Sequence, residues 1–219
     1  WASEWALYTK EALNHPNSSR AHSMLGILFH DNKLYAEAEQ QFTIAAQLDR
    51  SSADPVIQLA QHQYIAKGDI EPQVLAELED RLMYLPLNTV TLWTFEPLIR
   101  VTQKNERLNR RLLAVYIYVI HRPDINISSD WLGAATATIA AAYRYHGDIA
   151  AAAKFYALAV HHRPLPAYAL SLAELQLRLG RKRAAAEVLA QIEPLNLNAE
   201  QARRLELLKK RLSSRARAR

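Results

Sequence analysis

Apolar and polar positions along this chain recur with a helical period. Leu25, Leu28 and Phe29, followed by Ala38, Phe42 and Ala45, are separated by steps of mostly three and four. That spacing lines one face of an α-helix. Val74, Leu75, Leu78 and Leu82 repeat the pattern, as do Leu108, Leu112, Val115 and Val119. Read end to end, it predicts helices over roughly 3–14, 19–31, 34–48, 54–67, 71–84, 88–103, 106–121, 131–146, 149–162, 166–179, 182–192 and 198–213. The breaks at Asp31-Asn32-Lys33, Gly68-Asp69, Gly147-Asp148 and Gly180-Arg181 suit the end of one helix and the start of the next. Pro16, Pro123 and Pro164 stand where a helix must stop, and Pro97 falls inside a helical stretch that it should kink or split. Strand-like runs of β-branched and aromatic residues are scarce. The class is all-α.

The helices repeat in pairs. At a lag of 33, Gly147 falls on Gly180, Ala152 on Ala185, Tyr156 on Leu189 and Ala159 on Ile192. A third copy contains Gly26, Phe29, Ala38, Phe42 and Ala45, whose spacings of nine, four and three recur in Tyr143, Ala152, Tyr156 and Ala159. Pro164 closes that unit. Each unit reads as two antiparallel helices, a bulky residue on the first (Phe29, Tyr143) facing small ones on the second. Small side chains let the backbones approach, and Phe42 or Tyr156 fills the gap to the next unit.

Composition narrows the function. Residues 200–219 hold eight basic and two acidic side chains, net +6, and the other 199 hold 19 and 20, net −1. The body is neutral, so no nucleic-acid-binding face is expected over it. With no cysteine, disulfides and thiol chemistry are excluded. No apolar run reaches the roughly 18 residues of a membrane span. The chain opens at Trp1 inside a helical pattern, which suggests a domain of a longer protein.

Candidate chemistry is thin. His161 and His162 are adjacent, so on a helix they point about 100° apart. His15, His22, His30, His62, His121 and His146 show no metal-type i,i+4 pairing, so neither a metal nor a cofactor is expected. Glu77, Glu79 and Asp80 beside Arg81 read as a solvated helix face. Five glycines supply neither a phosphate loop nor a nucleophile elbow. Tyr116 and Tyr118 cannot both face the core, whereas Tyr143 and Tyr156 should. Trp5 and Tyr8, with Trp1, form a stripe that caps Leu25 and Leu28 or meets a membrane surface.

The small/large pattern of 19–50 and 133–164 resembles tetratricopeptide repeats, with 166–196 a weaker copy and 53–86 and 88–123 degenerate. The resemblance implies a right-handed α-solenoid of about 12 helices. It would form one domain over 1–212, with capping helices at 1–16 and 198–212 and a basic flexible tail at 213–219. It implies a non-catalytic scaffold whose concave groove, lined by the first helix of each unit, takes a protein or peptide partner. Counting along those helices gives Arg20, His30, Tyr64 and Arg144 as groove candidates. Ser23 and Ile27 stand where chaperone-tail-binding repeats carry their carboxylate clamp, and Met24 and Thr138 where sugar-transferase repeats carry asparagines, so neither device is formed. A narrower resemblance lies in Trp1-x-x-x-Trp5, the segment Lys10–Ala21 and Leu25-Gly26. These are similar to the junction at which a bacterial multi-span membrane glycosyltransferase or O-antigen ligase passes into a soluble repeat domain. That implies a periplasmic domain in glycan or envelope assembly, close to a membrane through the parent's preceding part. A glycan-binding accessory using Trp93 or Trp131, and a cytoplasmic adaptor, are the alternatives.

Overall fold

The computed structural model describes residues 2–192 and 197–214; Trp1 and residues 215–219 of the basic tail lie outside them. Twelve α-helices and no strand occur among the described residues, within a residue or two of the predicted spans. By contact the chain groups into two compact units, Trp1–Asn126 and Ile127–Arg219, where the repeat pattern laid out one domain. The boundary falls in the Pro123-bearing connection 121–128.

The first unit comprises α1 (Ala2–Asn14), α2 (Ser19–Asp31), α3 (Tyr35–Leu48), α4 (Asp54–Lys67), α5 (Pro72–Tyr84), α6 (Thr89–Val101) and α7 (Glu106–Ile120). Its helices start where local chemistry favours starting. The side chains of Ser18, Asn88 and Asn105 accept the N–H groups of Ala21, Thr91 and Leu108, while Pro55 and Pro72 occupy first turns. Gly68 ends α4 at φ +79, a left-handed value that suits glycine.

The small/large code closes the α2–α3 pair. Ala38 and Ala45 are fully buried, and a methyl group on Gly26 would lie 2.9 Å from the Phe42 ring. At the open side, Trp5 and Tyr8 of α1 pack with Phe29 against Ala12, Ala21, Leu25 and Leu28, with Trp5 and Phe29 ring centroids 5.4 Å apart. In the degenerate part large side chains hold the helices instead. Phe95 of α6 meets Tyr116 of α7 edge-on at 5.4 Å, and Tyr116 is buried while Tyr118 is exposed.

One expectation for this unit is narrowed and another needs correction. Pro97 does not split α6, which runs through it and ends in one 3-10 turn, Thr102–Lys104. Pro97 has no N–H for the Trp93 carbonyl, but Trp93 is at an exposed position where water can satisfy that oxygen, and buried Phe95, Leu98 and Ile99 anchor the other face. Nor is Arg81 solvated: it is 4% exposed. Its guanidinium donates to the carbonyls of Ala46 (2.7 Å), Asp49 (2.7 Å) and Ser52 (2.8 Å) and to the Glu77 carboxylate (2.6 Å). The carbonyls at the end of α3 lack intrahelical partners and carry the negative end of its dipole, so a buried cation is stable there.

The second unit comprises α8 (Ser129–Tyr145), α9 (Ile149–His162), α10 (Pro166–Arg178), α11 (Lys182–Ile192) and α12 (Ala199–Ser214). Gly147, at φ +78, turns the chain between α8 and α9. Ala152 and Ala159 are fully buried and Tyr156 is buried, as the repeat requires, and exposed Pro164 follows α9. Tyr143 departs from the pattern. It is half-buried, its ring stacked on Phe155 at 5.5 Å and 6°, because Phe155 takes the interior place beside it. Trp131 also departs: it is 7% exposed, since the first turn of α8 points it inward. Leu205 and Leu208 of α12 join Leu170, Ala173, Leu189 and Ile192 in one cluster and cap it.

Candidate functional site

In the first unit, α2, α4 and α6 are the first helices of successive pairs, and their shared face holds a pocket of about 370 Å³. Ile27, His30 and Asp31 come from α2, Phe42 from α3, Gln58, Gln61, His62 and Ile65 from α4, and Thr94 and Pro97 from α6. Ile27 and Ile65 are partly exposed there and place two large aliphatic side chains in one concavity.

At its base the Nδ1 atoms of His30 and His62 lie 2.8 Å apart. One nitrogen must carry the hydrogen and the other must accept it, so the contact forbids double protonation. His62 is 2% exposed, ringed by Phe42 at 5.4 Å and Tyr35 at 6.0 Å. Burial, and then the neighbouring His30, hold its imidazole below the usual histidine range, against the opposing pull of Glu39. His62 Nε2 and Gln58 Oε1 are buried without a hydrogen-bond partner. Buried His62 and Gln58 with a rim of aliphatic side chains make a mixed polar and apolar lining that suits an amphipathic ligand.

The second unit carries a different feature on α8, α10 and α12. Glu174 receives Arg204 at 2.7 Å and Arg144 at 3.6 Å, and Arg204 also reaches the Ser171 hydroxyl at 3.4 Å. Burial pushes the Glu174 carboxyl up, but the Arg204 hydrogen bond and the charges of Arg144, Arg204 and Arg211 outweigh it, leaving the group below its ordinary value. Among the described residues, no group of three or more His, Asp or Glu is placed to hold a metal ion, and no helix is long and apolar enough to cross a membrane.

The groove candidates fall in both units. His30 lines the pocket, Arg20 is exposed on the first turn of α2, and half-buried Tyr64 lies outside the lining. Arg144 belongs to the second unit. His62, Gln58 and Ile65 were missed by sequence reasoning. One signal pointed to His62: it follows His30 by 32 residues, close to the repeat lag of 33, which puts both on the same face of successive first helices.

No protein-family model and no curated protein matches the chain. Solved structures do. PilF of Pseudomonas aeruginosa aligns at 14% identity and TM-score 0.53, over 93% of this chain and 90% of its own. YrrB, described as a TPR protein with an unusual peptide-binding site, aligns at 14% and 0.52, over 91% and 97%. Yeast Tom70 aligns at 16% and 0.58, over 96% of this chain and 43% of that one. At such identities the likeness speaks for the fold, and it agrees with the small/large code found in the helix pairs. The chain has the fold of the tetratricopeptide-repeat proteins.

Proposed function

We propose that this chain is a non-catalytic protein-interaction scaffold that holds a peptide segment of a partner against α2, α4 and α6 of the first unit. The observation that carries this is the pocket itself, with Ile27 and Ile65 exposed in a lining that also holds His62 and Gln58. An apolar side chain of the partner fills it, worth about 1.5–3 kcal/mol when fully buried. Peptide amides supply the polar contacts. The peptide-binding site in the printed description of YrrB supports the same use here.

The wider setting follows from the sequence. The resemblance across Trp1-x-x-x-Trp5, Lys10–Ala21 and Leu25-Gly26 supports a periplasmic domain of a bacterial membrane protein of glycan or envelope assembly. A second reading, glycan binding, rests on Trp93, which is 64% exposed one helix turn from exposed Val90; buried Trp131 contributes nothing to it.

The test is a peptide-display selection on the intact chain, followed by titration of the selected peptides. Ile65→Asp should weaken them at least tenfold, and Leu13→Asp, on exposed α1 surface, should leave them unchanged. Peptides that bind both variants equally would remove the pocket from the reading. Saccharide binding lost on Trp93→Ala would favour the second reading.

A further inference from the structure

Charge divides the two units unequally. Residues 1–126 hold 12 basic and 15 acidic side chains, net −3, whereas residues 127–219 hold 15 and seven, net +8. Most of that excess, +6, lies in residues 200–219, and part of the remainder of the unit's positive charge faces it from α8 and α10. Ser171, Glu174 and Arg178 follow one another at steps of three and four, so they share a stripe along α10. Arg144 of α8 and Arg204 of α12 both reach that stripe at Glu174. Arg211 is close enough for its charge to act on the same carboxylate.

Glu174 is thus met by two guanidinium groups, Arg204 and Arg144, and lies within the charge influence of Arg211. A guanidinium has five N–H donors in a planar fork. Glu174 meets one edge of Arg204 and the end of Arg144, which leaves further donors on each, and both side chains are about a third exposed. Arg178 is exposed on the same stripe. Anchoring by Glu174 also restricts the two long side chains before any ligand arrives, which lowers the entropy lost on binding.

We propose that this face of the second unit binds an acidic segment of a partner protein, with Arg144, Arg178 and Arg204 pairing with its Asp or Glu side chains. Carboxylates fit because Arg144 and Arg204 already hold one, that of Glu174, and a guanidinium fork matches the two oxygens of another. The surface is distinct from the apolar pocket of the first unit and does not depend on it. A partner engaging it is steered by charge, so association is fast and salt-sensitive.

The experiment uses the intact chain and a fluorescein-labelled peptide of alternating Glu and Ala, followed by anisotropy at low and high salt. The expected result is binding at low salt, weakened at least tenfold by Arg144→Gln with Arg204→Gln. Arg181→Gln with Arg183→Gln removes the same charge from exposed positions around the α10–α11 turn and should weaken it less than threefold. Should the first pair perturb α12, Arg178→Glu alone breaks no contact of the fold and should still weaken binding at least threefold. Equal loss in the inner and control pairs, or no binding at low salt, overturns the proposal. So does tighter binding of a single-stranded oligonucleotide or of phosphatidylserine vesicles with the same arginine dependence. The Ile65→Asp variant should bind the acidic peptide normally, which separates this surface from the pocket.

Discussion

His62 and Arg81 are two titratable residues that the fold buries. His62 sits neutral beneath the pocket, its pKa below the ordinary 6.5 because burial and His30 disfavour the charged form. Below about pH 6.5 the unfolded chain takes up a proton at this position more readily than the folded one, so stability falls as pH drops through that range. Above it both states are neutral and the term vanishes. His62→Gln should flatten the fall in urea-unfolding free energy between about pH 7 and pH 5; an unchanged slope would show that His62 does not carry it. Arg81 is the inverse case, a buried cation answered by three carbonyls and Glu77. Arg81→Ala leaves those carbonyls unpaired and should cost about 3 kcal/mol in chemical denaturation. Arg81→Lys should recover only part, since an ammonium cannot span Ala46, Asp49 and Ser52 with one planar fork.

At the scale of the helix, contact between paired backbones depends on small residues. Ala38 and Ala152 are each fully buried between helices. Leucine in either place adds three carbons where none fit, so Ala38→Leu and Ala152→Leu should each destabilise by about 1–3 kcal/mol. Melting curves unmoved by both would remove the repeat register. Gly26→Ala tests the same contact more finely, since its methyl meets the Phe42 ring at 2.9 Å and the ring must shift. The α6–α7 pair lacks such a device. It is joined by Phe95 on Tyr116 and by a buried Asn109, which donates to the Ile99 carbonyl at 2.6 Å and to Thr102 Oγ1 at 2.9 Å. A wider separation filled by large rings and a polar bridge is the physical content of a degenerate repeat.

For the molecule as a whole, the ends matter because a repeat leaves an apolar face uncovered unless something caps it. In the second unit that cap is Leu205 and Leu208 of α12. Leu208→Ala should cost about 2–5 kcal/mol, whereas truncation after Leu212 should leave the melting temperature nearly unchanged, because the removed residues carry no apolar stripe. A large loss on truncation would show that the basic end is docked. The charge also divides, −3 over residues 1–126 against +8 over 127–219, with +6 of the latter in residues 200–219. The partner proposed for each unit differs accordingly, an apolar-anchored peptide for the first and an acidic segment for the second.

Helix positions, the small/large pairing and the two caps were legible from the residues, because each depends on neighbours three, four or about 33 positions away. Periodicity reports such distances directly. Buried Ala38 and Ala45 in the second helix of a pair, or Leu205 with Leu208, need no coordinates to be recognised. The candidate sites were legible only in fragments. His30 was picked out, but His62 looked isolated until folding set it 2.8 Å away, and Arg144 looked free until Glu174 and Arg204 joined it. Arg81 looked solvated because its partners are backbone carbonyls, which no side-chain pattern records. Contacts made across helices, with main-chain atoms or between residues whose spacing only approximates the repeat, come into being with the packing, and the binding surfaces of this protein are built from them.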